Sequence, residues 1–311
     1  MKPYGVIDLH CDTLTDVKHT PDTMDDGSKA LSLSALPQGV RWAQCFAVFL
    51  PDGLRGKNAV AYYDRWRGEF LRQTAKFSDR VLPCRGAADI ERAWAAGKTA
   101  ALLTVENGSA LVGNLDRVAL LSEQGVCAIT LTWNGANELG SGHDTDGGLT
   151  AFGKHAVREM ERLGILVDVS HLNDRGFADL LDVAEKPFLA THSNARAVCP
   201  HRRNLTDDMI REMVRRGCLI GLNYYVRFLR NGEPCTLDDL YRHIGHFFTL
   251  GAKHCLALGS DFDGAETPEC LSSPARVVDA RDYLLSRGLS EEELDGIFYQ
   301  NALSFFQKNL P

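Results

Sequence analysis

Nowhere does the chain approach the run of about 20 apolar residues that a helix needs to cross a bilayer. It also lacks an excess of positive charge. Its 34 Lys and Arg stand against 41 Asp and Glu, a net charge of −7 with a pI near 5.8. Nucleic acids and anionic membranes select a basic face, so neither is an expected partner. The nine cysteines are odd in number and never stand as CxxC. That pattern argues against a disulfide framework or a thiolate-held zinc and suits reduced thiols. The start, MKPYGVIDLHCDT, has no basic-then-apolar signal pattern, and the end, NALSFFQKNLP, has no apolar tail of the kind that precedes a lipid anchor. A cytoplasmic location is therefore expected. No GxGxxG or GxxxxGK[ST] follows any strand-like run, which removes dinucleotide and P-loop readings.

What the chain has is alternation. Short apolar or β-branched runs at 6–12, 42–50, 99–106, 126–133, 165–171, 188–192, 219–225 and 256–261 predict strands. Helical periodicity marks 59–76, 114–124, 152–163, 174–183, 207–216, 237–250, 276–287 and 290–308, the last opened by the capping box Ser290/Glu293. Strands that are apolar along their whole length imply a parallel sheet covered outside, and eight of them close a (β/α)8 TIM barrel in a chain of 311 residues. With no linker, repeat or low-complexity segment, residues 1–311 read as one domain. The longer polar stretches, 16–34 and 134–150, follow the first and fourth of these strands, on the face where barrels carry their sites.

The chemistry-bearing residues stand at the ends of those runs. The first closes on His10-Cys11-Asp12, the third on Glu106, the fifth on His171, the sixth on His192 and the eighth on Asp261. Singly, each has a plain structural reading as a solvated strand end, a buried imidazole or a turn former. Together, in a barrel, all five strand ends converge on one rim. Alternation puts residues i and i+2 on one side of a strand, so His10 and Asp12 project together. Histidine nitrogens with carboxylate oxygens and no thiolate favour zinc, and also suit manganese, iron or cobalt. One catalytic zinc uses three protein ligands, too few for this set. Two ions accommodate it if Glu106 is shared: His10, Asp12 and Glu106 on one, and Glu106, His171 and His192 on the other, with a bridging hydroxide between them. Asp261 is left over, which suits a general base.

DLHCDT, VENG, GLTAFGKHAVREMERLGILVDVSH, THSNARAVCPHRRNLTDD and GSDFDG occur in an order that resembles the membrane (renal) dipeptidase family of the amidohydrolase superfamily. The similarity runs over nearly the whole chain, and SH…THS…RRN with DFDG is its most specific part. The resemblance implies the same two zinc sites, with Asp261 as the proton-transfer residue and Arg203 holding the carboxylate end of a bound dipeptide. It also implies hydrolysis of small dipeptides, including those with a C-terminal D-residue, and in some members of β-lactams. A structural reading of Arg203 is a loop cation paired with Asp207 or Asp208.

There are departures. Many members end the fourth strand in LTH, with a histidine that polarises the scissile carbonyl; this chain reads LTWN, with Trp133. Ser109 stands where the family often has histidine. The signal peptide, disulfides and lipid anchor of mammalian members are not apparent, and the pattern resembles a bacterial-type member. An indole offers one N–H and accepts no proton, so Trp133 reads as an aromatic wall of the substrate pocket. Asn134 or His143 is then the candidate for the missing polar contact. Two rivals stay open: another amidohydrolase, such as an N-acyl-amino-acid deacylase or lactonase, and a metal-binding homologue that has lost catalysis. A homodimer is compatible with the sequence, which does not fix the oligomeric state.

Overall fold

The computed structural model describes residues 4–15, 22–232 and 234–310. Residues 16–21 of the first polar stretch, and residues 1–3 and 311 at the chain ends, lie outside the described residues. Nine parallel strands alternate with helices: β1 (Gly5–Cys11), β2 (Arg41–Phe49), β3 (Val81–Cys84), β4 (Thr99–Glu106), β5 (Val126–Thr130), β6 (Leu166–Asp168), β7 (Leu189–Ala190), β8 (Leu219–Leu222) and β9 (Leu256–Leu258). Eight of them close a ring. β1 pairs with both β2 and β9, β2 pairs with β4, and β4 to β9 pair in order. These are the eight predicted runs, and the fold is a (β/α)8 barrel surrounded by helices.

β3 is the strand that periodicity does not reveal. VLPC is four residues long and carries Pro83, which cannot donate to a ladder. It survives because it is an edge strand, pairing only with the start of β4 (Val81↔Thr99 through Cys84↔Leu102). The second half of β4, Leu103 to Glu106, pairs with β5, with an irregularity between Leu103 and Thr104 where the partner passes from Val126 to Ala128.

The outer helices that follow the sequence expectation are α1 (Gly56–Lys76), α3 (Asp116–Glu123), α4 (Ala151–Leu163), α5 (Asp174–Leu181), α6 (Asp207–Arg216), α8 (Leu237–Thr249) and α9 (Pro274–Ser286). α2 (Ala87–Ala95) and the single turn α7 (Val226–Leu229) are additional. Polar side chains stop the chain from running straight from strand into helix. Thr150, Asn173 and Thr206 each accept a backbone N–H three residues on and cap α4, α5 and α6. α4 and α6 end at Gly164 and Gly217 in the left-handed conformation, φ +75° and +68°, which turns the chain back toward the next strand. The long terminal helix expected over 290–308 is present and continuous, running as α10 (Glu291–Asp295), a π turn (Gly296–Gln300) and α11 (Asn301–Asn309) with helical backbone at both junctions. Its Ser290/Glu293 capping box is present.

Candidate metal centre

Along β1, Asp8, His10 and Asp12 share one face. Asp8 lies deepest, accepting the N–H and the hydroxyl of Ser260 at 2.8 and 2.6 Å. His10, 2% exposed, reaches the rim, where its Nε2 stands 3.4 Å from Asp12, 3.5 Å from Glu106 and 3.8 Å from Asp261. On the far side of Glu106, Oε1 is 2.8 Å from His171 Nε2 and 3.7 Å from His192 Nε2, and the two imidazole nitrogens are 3.0 Å apart. All six strand-end residues therefore converge, with Glu106 presenting one oxygen to each half.

Two of them reach the rim through unusual backbone. His171 and Asp261 have φ of +69° and +64°, a region non-glycine residues avoid at a cost of about 1–3 kcal/mol each. The turn aims each side chain inward from just beyond its strand. Gly264 is required beside them, since a Cβ there would lie 1.9 Å from Asp12 Oδ2 and 3.0 Å from Asp261 Oδ1.

These residues fit divalent ions. His10 Nε2 and Asp12 Oδ1 are buried without a hydrogen-bond partner, although buried polar groups are ordinarily satisfied. Two ligands on one tetrahedral zinc stand about 3.3 Å apart, given bonds of about 2.0–2.1 Å, and the distances around His10 and Glu106 cluster at that value. Two interlocking sets have all their ligand atoms within 4.8 Å of one another: His10, Glu106, His192 and His10, Asp12, Asp261. Asp261 thus stands within ligand reach of His10 and Asp12.

Electrostatics agree. Burial alone disfavours a charged His10, but the Glu106 and Asp12 carboxylates outweigh it and hold its pKa well above the ordinary range. Burial and repulsion from Asp12 push Glu106 up to about 7. Burial, with Arg203 nearby, holds His171 and His192 well below the ordinary range, so both are neutral imidazoles. The metal-free protein therefore keeps a proton on His10 and, near pH 7, a partial one on Glu106, which ions must displace. Zinc uptake at pH 7 is expected to release protons, and affinity to rise with pH until His10 is neutral unaided. Titration calorimetry in buffers of different ionisation enthalpy measures this; a proton count of zero would show that His10 is already neutral and Glu106 already ionised.

The centre forms the floor of a cavity of about 560 Å³. Its wall includes Trp133, Asn134 and His143, all from the segment that follows β5, together with Phe49, Tyr225, Arg227, Phe228, His201 and Glu266. Trp133 packs edge-on against Phe49 at 4.9 Å and stands 6.2 Å from His171. Asn134 Oδ1 is 2.8 Å from His171 Nδ1. His143 donates its backbone N–H to His171 O at 2.9 Å and has a buried Nδ1 without a partner. Burial and Arg203 lower its pKa to about 4, so it too is neutral. Gly142 makes the loop's approach possible, because a Cβ there would lie 2.0 Å from Trp133 O.

Arg203 is placed differently. It is 4% exposed, lies outside the cavity wall, bonds His192 O at 3.3 Å and stacks 5.3 Å from the ring of Phe228. It does not pair with Asp207 or Asp208, which bond His246 and Arg211. Arg227, which no strand-end pattern marks, is the cation in the wall. Phe49 and Tyr225 were equally unmarked, whereas His201 sits in the CPHRRN segment already singled out.

A family model for the membrane dipeptidases (peptidase family M19) matches residues 1–309. The chain belongs to this family. It is therefore a hydrolase acting on peptide bonds and a metallopeptidase by family. Among relatives, it is similar to an uncharacterised protein of the pqqA 5′ region of Klebsiella pneumoniae, 34% identical over 74% of this chain and 89% of that one. Among solved structures, it is similar to a metallopeptidase of Rhodobacter sphaeroides liganded with a phosphinate mimic of the dipeptide L-Ala-D-Ala. The two are 25% identical over 99% of each chain, with a TM-score of 0.93. It is also similar to a dipeptidase AC, 26% identical over 98% of each chain, TM-score 0.92. Among the described residues no helix of this M19 dipeptidase is long and apolar enough to cross a membrane, and no cysteine is in a disulfide.

Proposed function

We propose that the chain is a two-zinc dipeptidase, one barrel domain over residues 1–311, that hydrolyses small dipeptides in the cytoplasm, including those with a C-terminal D-residue. The observation that carries this is the convergence of His10, Asp12, Glu106, His171, His192 and Asp261 beneath a cavity of dipeptide size. The L-Ala-D-Ala mimic bound by the Rhodobacter sphaeroides metallopeptidase supports the substrate class.

His10, Asp12 and Glu106 would hold one zinc, and Glu106, His171 and His192 the other. Bound there, the pair would supply Lewis acidity, to make a water a nucleophile near neutral pH and to polarise a carbonyl. Asp261, raised above the usual carboxylate range by burial, is placed to take a proton at the rim and return it to the leaving amine. Trp133 and Phe49 form an apolar wall for a substrate side chain, and neutral His143 offers a donor over His171. Arg203 stands behind the wall residue Phe228, 5.3 Å from its ring, with a buried Nε that has no partner among the described residues, and would take the dipeptide carboxylate if the substrate reaches past that ring.

The test is a turnover screen of L,L and L,D dipeptides, their C-terminal amides, N-acyl amino acids and lactones, with zinc removed and restored. Free dipeptides should be turned over only with metal, and the amides poorly. Arg203→Lys should raise KM for free dipeptides, because an ammonium cannot make the planar two-bond contact. Equal kcat/KM for free and amidated dipeptides would remove the carboxylate role and favour a deacylase or lactonase.

A further inference from the structure

The two imidazoles facing Glu106 Oε1, His171 and His192, have their second nitrogen engaged, and by different devices. His192 Nδ1 is 2.8 Å from the Thr191 hydroxyl. That hydroxyl is itself 2.6 Å from Asp168 Oδ2, where the Thr130 hydroxyl also arrives at 2.6 Å. Asp168 Oδ1 accepts the N–H groups of Ser170 and Thr191 at 3.0 and 2.9 Å. A carboxylate surrounded by four donors only accepts, so Thr191 spends its single proton on Asp168. Its oxygen is then left with lone pairs, and the proton between Thr191 and His192 must come from Nδ1. For His171, Nδ1 faces Asn134 Oδ1 at 2.8 Å. If the amide oxygen accepts there, His171 carries its proton on Nδ1 as well. Both Nε2 atoms then present lone pairs to each other at 3.0 Å and to Glu106 Oε1. Three electron-rich atoms 2.8, 3.0 and 3.7 Å apart need a shared proton or a cation among them, and two imidazole nitrogens with a carboxylate oxygen suit a metal ion.

We propose that Asn134 and the buried Thr191–Asp168 pair are positioning residues. They fix His171 and His192 as Nδ1–H tautomers and so prepare both Nε2 atoms as metal ligands. This rests on the reading of His171 and His192 as ligands and assigns Asn134 to the imidazole rather than to substrate. Asp168, 1% exposed, acts through a hydroxyl from rigid strand ends, whereas Asn134 acts directly from a loop in the cavity wall.

The readout is the zinc dissociation constant by competition with a chromophoric chelator, with the Tm of the metal-free protein measured alongside. Thr191→Val keeps the shape and removes the hydroxyl; it should weaken zinc binding about 10–100-fold, the range for lost outer-shell partners. Thr191→Ser should restore it. Asn134→Leu should weaken binding similarly. Asn134→Asp should bind at least as tightly as the parent protein, because a carboxylate accepts from Nδ1–H more strongly than an amide. Loss of affinity in Asn134→Asp would mean that Nδ1 accepts and that the tautomer is reversed, which overturns the proposal. So would an unchanged dissociation constant in Thr191→Val with only a lowered Tm, the mark of a purely structural hydroxyl. Failure of the parent protein to bind zinc at all would instead remove the metal reading itself.

Discussion

Glu106→Gln is expected to take the protein from about two divalent ions per chain to close to none, and with them all dipeptide turnover. Glu106 is 3% exposed and its two oxygens face different groups, Oε2 toward His10 and Oε1 toward His171 and His192. A carboxylate can bridge because both atoms are anionic. An amide offers one neutral acceptor and turns N–H protons on the other set, so one half loses a ligand and gains a repulsion while the other exchanges an anionic ligand for a weaker neutral one. Misfolding can be told apart from metal loss by stability. Burial raises the folded pKa of Glu106 to about 7 from an ordinary 4.5, so its charged form opposes folding. That penalty is absent below the unfolded value and fully present above pH 7. Metal-free Glu106→Gln should therefore have a higher Tm than the metal-free parent at pH 8, a difference that vanishes toward pH 4. Elemental analysis and thermal melts decide it. Retention of both ions by the variant would show that Glu106 does not bridge.

The position of Glu106 at the rim was legible in the sequence because strands carry their own registration marks. A glutamate closing TAALLTVE can only stand at the rim, and the same holds for His10 after GVIDL. Burial on both faces made the eight ring strands readable as apolar runs. β3 was not, because an edge strand holding a proline has no such run. Around the site, what stayed hidden depends on how loops return. Nothing in DVSH or SDFDG signals left-handed backbone at His171 and Asp261. Nothing in LTWN says that Asn134 reaches His171, nor does CPHRRN say that Arg203 lies beneath Phe228 while Arg227 lines the wall. One signal was available and passed over. Asp168 interrupts the apolar run ILVDVSH, and a carboxylate inside a barrel strand needs donors that only its neighbours can provide.

Asp261→Asn should lower kcat by about two to four orders of magnitude while the metal content stays that of the parent. The substitution is conservative where it needs to be. Asparagine is among the few residues that tolerate φ +64°, so the turn survives, and only the carboxylate's capacity to take a proton is lost. Asn223 donates to Oδ2 at 3.0 Å, leaving Oδ1, 3.8 Å from His10 Nε2, directed at the centre. Burial raises the pKa of Asp261, which strengthens it as a base relative to an exposed aspartate. The comparison residue is Asp263, two positions on and also in the cavity wall. Its oxygens are occupied, accepting from the Thr13 hydroxyl at 2.6 Å and the Ala30 N–H at 2.7 Å, so it ties the segment after β1 to the rim. Asp263→Asn should accordingly lower Tm and leave kcat within severalfold. Steady-state kinetics paired with elemental analysis separate the roles. Loss of an ion together with activity in Asp261→Asn would make Asp261 a ligand alongside His10 and Asp12, and an unchanged kcat would place the base elsewhere.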